Sequence, residues 1–138
     1  LSNSAPGNYS FNLGAQECTT TGDGSFIGGG GFNETVGISS FIAASYSNQT
    51  LAENAFASGT GTKAFSYSEA VFGMYNTLYT ASNTGGFNET DRLFVVGNGT
   101  GSNSNNRSNA LTILKNGNIG IGCDQPTNAL EVDGVDRD

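Results

Sequence analysis

The chain has 138 residues, 36% of them hydrophobic and 12% charged, with a net charge of −7 and a pI near 4.2. That is one domain's worth of polypeptide, or two very small ones, and its acidity argues against nucleic-acid binding, which needs a cationic surface. Histidine is absent, which excludes Ser-His-Asp and Cys-His nucleophile pairs and removes the commonest zinc ligand.

Twenty-one Gly with 17 Asn, 15 Ser and 14 Thr leave few residues able to fill a globular core. Nine Phe, five Tyr and many Ile, Val and Thr nevertheless argue for order rather than disorder. Low charge with abundant small polar residues suits short strands joined by tight turns. No apolar run approaches the ~18 residues of a membrane span, so no membrane insertion is expected. No basic, apolar leader opens the chain, so no signal peptide is expected either. Cys18 and Cys123 form no metal-ligand motif; they read as two separate thiols or, in an oxidising setting, a disulfide.

Residues 1–24 read as an irregular opening segment. From residue 25 the chain repeats. Ser25-Phe26-Ile27-Gly28 aligns with Ser40-Phe41-Ile42-Ala43, Ala55-Phe56-Ala57-Ser58 and Ala70-Val71-Phe72-Gly73, at intervals of 15. Thr35, Thr50, Phe65 and Thr80 keep the same interval. Gly, Asn, Ser and Thr at almost every second position disfavour helix. The period predicts one β-solenoid turn: two short strands, two tight turns, and stacking at ~4.8 Å. Phe26, Phe41, Phe56 and Val71 are expected in one column, with Gly28–Gly31 as an irregular start to the coil. Small residues alternate inward and large ones outward, and a thin coil of this kind leaves its outer apolar face in need of cover.

After residue 84 the pattern changes. Arg92–Gly97 reads as a strand, Asn98–Asn109 as a flexible loop, and Ala110–Lys115 as a strand before Asn116-Gly117. Asn-Gly between two β-rich runs is a strong hairpin signal. Ile119–Gly122 and, past Pro126, Ala129–Val132 complete a hairpin-rich module over 85–138. No helix is expected. The fold class is therefore all-β: a trimeric parallel β-roll with a 15-residue repeat over 25–84, followed by the hairpin module. Three copies would close Leu93, Phe94, Val96, Leu111, Ile113, Ile119 and Ile121 around a shared axis.

The repeat half, with Asn54–Gly59 and Ser68–Gly73, resembles the S-x-A-x-G repeats of trimeric autotransporter adhesin heads. That resemblance implies left-handed parallel β-rolls wound three together. The second half, Leu93–Gly99 and Ala110–Gly122 followed by Pro126 and Val132-Asp133-Gly134, resembles bacteriophage tail-fibre chains that precede a self-cleaving chaperone. Cys123 stands where Thr is usual and no chaperone follows, so the chain is expected to be a fragment or a matured product. The resemblance implies a homotrimeric extracellular segment of a virion, phage-like particle or bacterial surface. Its partner would be a host surface glycan or protein receptor, and it implies no enzyme and no cofactor.

Site candidates are few. Tyr46, Tyr67, Tyr75 and Tyr79 either stack on a host glycan or seal the seams between chains. Glu34, Glu53, Glu69 and Glu89 are the carboxylates from which a glycosidase pair would be drawn, but they read as outward, solubilising residues. Asp124, Asp133, Asp136 and Asp138 offer oxygen ligands to calcium or form a solvated tail. Sequons at Asn8, Asn33, Asn48, Asn88, Asn98 and Asn106 read as turn residues. Gly97–Gly101 lacks the Lys-Ser/Thr of a phosphate loop. A monomeric ice-binding solenoid, carried by a Thr35/Thr50/Thr80 row, is the alternative function; a glycan-cleaving spike is a weaker one.

Overall fold

The structure, a computed structural model, describes residues 2–43 and 45–133. The strands are β1 (Phe11–Asn12), β2 (Thr19–Thr20), β3 (Phe26–Ile27), β4 (Gly30–Gly31), β5 (Glu34–Thr35), β6 (Phe41–Ile42), β7 (Ser45–Tyr46) and β8 (Gln49–Thr50). They continue with β9 (Phe56–Thr60), β10 (Lys63–Ala64), β11 (Ala70–Met74), β12 (Arg92–Asn98), β13 (Asn109–Leu114), β14 (Ile119–Ile121) and β15 (Leu130–Val132). One 3-10 turn, Ser104–Asn106, is the only helical element among the described residues.

The all-β parallel solenoid is what the repeat predicts. One sheet runs β1-β3-β6-β9-β11-β12-β13-β14-β15, and the other runs β10-β8-β5-β2. From β1 to β12 every pairing along the first sheet is parallel, as is every pairing in the second. The coil starts earlier than expected: Phe11 pairs with Phe26, so the 15-residue ladder already runs through the opening segment. Gly28–Gly31 is likewise no irregular start, because Gly30 and Gly31 pair in register with Ser45 and Tyr46.

Each turn has two corners, and each corner holds one residue in the left-handed region. Tyr9, Gly24, Ser39, Asn54 and Ser68 form one such column, and Glu17, Phe32, Ser47, Gly61 and Tyr75 form the other, with φ between 41° and 63°. Non-glycine residues pay about 1 kcal/mol or more for that conformation, so the corner must be held by other contacts. Gly7, Gly22 and Gly37 open the first corner, and the amide of Ser10 or Ser25 three residues on donates back to the glycine carbonyl. The Ser25 and Ser40 hydroxyls repeat that bond from the side chain and also reach Thr35 and Thr50. A Cβ on Gly37 would collide with the carbonyl of Ala52 in the next turn, so the coil's tightness requires glycine there.

The interior is thin and mixed. Ile27, Ile42, Ala57, Val71 and Val95 form one buried apolar column, and Thr20, Thr35, Thr50 and Ala64 face them from the second sheet. At the second corner an asparagine ladder runs inside the coil. The Asn48 amide nitrogens reach Asn33 Oδ1, and Asn48 Oδ1 accepts the amide and hydroxyl of Thr62. Asn76 Oδ1 then accepts from Lys63 N and Asn109 Oδ1 from Thr77 N, which carries the ladder to β13.

One expectation fails by a single residue. Phe26, Phe41 and Phe56 stack as expected, but Phe56 pairs with Ala70, not Val71. The turn from Tyr46 to Thr60 is 14 residues, one short of the earlier interval, and β9 runs as a single strand where β6 and β7 are separate. Val71 therefore points inward, opposite Ala57 and Val95, and Phe72 takes over the outer face.

The C-terminal strands continue the same sheet. β12 adds in parallel to β11, then β13 and β14 follow antiparallel, turning at Asn116-Gly117 with Gly117 at φ 91°. β15 returns parallel to β14. The 98–109 loop is pinned rather than free: the Arg107 guanidinium donates to the carbonyls of Gly61, Asn76 and Ser102.

Candidate functional site

Alternation along β12, β13, β14 and β15 sorts their side chains onto two faces. Phe94 pairs with Ile113, which pairs with Ile119 and then Leu130; Val96 pairs with Leu111, then Ile121 and Val132. Thus Phe94, Val96, Leu111, Ile113, Ile119 and Ile121 share the outer face of one sheet, while Val95 and Thr112 are buried behind it. Leu93 does not join them. It falls in the register shift between Arg92 and Phe94 and is exposed.

The outer face extends along the coil as an aromatic ladder. Phe11, Phe26, Phe41, Phe56, Phe72 and Phe94 follow one another with ring centroids 5.1–5.8 Å apart. Stacked rings at such distances contribute about 0.5–1.5 kcal/mol per pair beyond burial. Yet Phe11 is 56% exposed and Ile121 47%, and Phe72, Met74, Leu130 and Val132 are exposed too. The result is one apolar face from the first described turn to the last strand.

The four tyrosines do not form one patch. Tyr46 is exposed, edge-on to Phe32, and Tyr75 lies two turns along the same corner, beneath the Arg107 guanidinium. Tyr67 is half-buried at the corner before β11, its amide bonded to Asn83 O. Tyr79 is no surface ring: the Arg92 guanidinium covers it at 4.1 Å, and its hydroxyl donates to Glu69.

Glu69 is the residue that sequence reasoning misplaced. It occupies the corner position of Ser25, Ser40 and Ala55 and is fully buried rather than outward. Its Oε2 accepts from the amides of Phe65 and Ser66, while Oε1 has no partner among the described residues. Burial pushes its carboxyl above the ordinary range, against the pull of those two amides. Around it, Lys115 Nζ donates to Ser66 Oγ and Arg92 O, and Arg92 donates to Thr77 O and Oγ1. Burial lowers the pKa of both cations. Asp91 accepts the amides of Ser82 and Asn83. This cluster fastens the 75–91 excursion to the coil and to β13. Its signal was present in the sequence: a Glu in a column of Ser, Ser and Ala, visible only with the 14-residue step.

Beside the cluster lies a cleft of about 480 Å³. Arg92, Leu114 and Pro126 are its buried floor, with Tyr79 and Asp124 half-buried in its walls. Thr80, Ser82, Asn116 and Gln125 form an exposed polar rim. None of Glu34, Glu53, Glu69 and Glu89 lines it. Glu34 instead accepts from Gln49 one turn on, and Glu89 is exposed.

Thr35 and Thr50 are wholly buried, so they present no surface row; Thr80 is exposed on the excursion, outside any strand. Asn33 and Asn48 are buried in the ladder, whereas Asn8, Asn98 and Asn106 are exposed. Cys18 and Cys123 are both free and buried. Asp133 is exposed, and Gly134, Asp136 and Asp138 lie outside the described residues. No family model, no curated protein and no solved structure matches this chain.

Proposed function

We propose that the chain is a segment of a homotrimeric extracellular fibre, borne by a virion, a phage-like particle or a bacterial surface, that supports attachment to a host cell. The observation that carries this reading is the continuous outer apolar face, from the phenylalanine ladder to the paired aliphatic columns of β12–β15. Exposed apolar faces of that length mark interaction surfaces. Three chains facing a common axis would cover Phe94, Val96, Leu111, Ile113, Ile119 and Ile121 together, and the ladder above them. A rod whose turns stack at ~4.8 Å suits the holding of a receptor-binding part away from a particle.

The ice-binding alternative loses its support, because Thr35 and Thr50 point into the coil. The glycan-cleaving reading has no carboxylate pair at the cleft to rest on.

Analytical ultracentrifugation of the chain and of its Ile113→Asp, Ile121→Asp double variant tests the proposal. A trimer is expected for the parent. The variant would bring two unpaired carboxylates per chain into the axis and should neither assemble nor fold. Both positions are partly exposed in the single chain, so a lone solenoid tolerates the change. A parent monomer, or a β-rich monomer of the variant, overturns the trimeric reading.

A further inference from the structure

The cleft beside Arg92 has no part in the proposed assembly face, and its chemistry points to a ligand. We infer that it binds a neutral mono- or disaccharide. Its volume of about 480 Å³ sits within the roughly 300–1,000 Å³ of small-molecule sites. Leu114 and Pro126 give an apolar floor, against which the C–H face of a sugar ring packs. The side chains of Thr80, Ser82, Asp124 and Gln125 make no hydrogen bond to other described residues and stand at the wall and rim. A carboxylate that only accepts, an amide that donates and accepts, and two hydroxyls match the vicinal hydroxyls of a pyranose.

The wall is also fixed in advance. Asn116 Oδ1 accepts the amide of Asn118, and Asn118 Nδ2 donates to Pro126 O, so the β13–β14 turn is tied to the segment carrying Asp124 and Gln125. Pre-formed walls spare a ligand the ordering that weak binding cannot supply.

Charge decides against an anionic ligand. The Arg92 guanidinium is already engaged by Thr77 and by the Tyr79 ring, and its Nε is sealed from solvent. The carboxylate remaining at the wall is Asp124, in a chain of net charge −7. Tyr79 contributes an edge rather than a stacking face, since Arg92 lies over its ring.

This deepens the attachment part of the proposed function, and it rests within one chain, independent of the trimer. The test titrates the whole protein with glucose, galactose, mannose, N-acetylglucosamine, lactose and maltose, followed by amide chemical shifts. Shifts are expected at residues 79–82 and 114–127 for at least one sugar. Asp124→Ala and Gln125→Ala should each weaken binding about tenfold, the loss of roughly one hydrogen bond. Tyr46→Ala, on the far corner, should leave it unchanged. Absence of cleft shifts with every sugar overturns the inference, as does a stronger response to sialic acid or to glucose 6-phosphate. Sedimentation of the same samples separates the two proposals: a monomer that binds sugar refutes only the trimer, and a trimer that does not refutes only the saccharide site.

Discussion

Removing the Asn48 side chain should cost more than any other single truncation of a polar residue in the coil. Asn48 is wholly buried, and its Nδ2 donates to Asn33 Oδ1 and to Gly59 O while its Oδ1 accepts from Thr62 N and Oγ1. Asn48→Ala leaves the Thr62 amide and hydroxyl without that acceptor. Each buried group so stranded costs about 1–2 kcal/mol, giving about 2–4 kcal/mol. Against a total stability of about 5–15 kcal/mol this is a large fraction. With an m-value of about 2 kcal/mol/M, the urea midpoint should fall by about 1–2 M. Tryptophan is absent, so the assay is circular dichroism or tyrosine fluorescence. Asn48→Asp is the sharper probe because it keeps the shape. One carboxylate oxygen still accepts from Thr62, but the other turns toward the acceptors Gly59 O and Asn33 Oδ1, with the Ser45 hydroxyl as its one donor among the groups Nδ2 touches. The folded state would then raise the carboxyl's pKa, so stability should fall as pH rises from the ordinary carboxylate value through the raised one. A midpoint for Asn48→Ala within about 0.3 M of the parent, at the same m-value, would refute the buried ladder.

Four further outcomes are expected. Ile42→Ala, in the cluster with Cys18, Ile27 and Ala57, should lose about 2–5 kcal/mol in thermal or urea unfolding whatever the assembly state. Its neighbour Phe41→Ala, stacked between Phe26 and Phe56 on the outer face, should lose about 1–3 kcal/mol from two ring pairs in a single chain, and more if that face is covered. Gly37→Ala should cost about 1–3 kcal/mol or more, because the new Cβ meets the Ala52 backbone carbonyl of the next turn; wild-type melting would contradict the tight corner. Glu69 should make the protein less stable as pH rises, between the ordinary carboxylate value and the raised folded one, since the native state holds the proton more tightly there. Glu69→Gln should flatten that slope in urea titrations across pH.

Much of this fold is legible in the sequence. Helix is excluded by composition, and the 15-residue step fixes stacked short strands because equivalent positions in a solenoid lie above one another. Alternation alone places Phe94, Val96, Leu111, Ile113, Ile119 and Ile121 on one face, as period-two geometry requires. Asn116-Gly117 marks its own turn.

What the sequence left undetermined follows from one shortened turn. The loss of one residue between Ala57 and Thr60 is invisible to a fixed-period alignment, because Ala70-Val71-Phe72-Gly73 matches the repeat almost as well one place over. In a pleated strand a slip of one residue exchanges the two faces. Val71 thus moves inward, Phe72 outward, and Glu69 from the solvent to a buried corner among Arg92, Tyr79 and Lys115. The cleft could not be read in advance either: Arg92 and Leu114 meet through β12–β13 pairing, but Tyr79, Thr80 and Ser82 join them only when the 75–91 excursion folds back. Local pattern determined which residues form strands; the closure of each turn on the one before decided which faces they present.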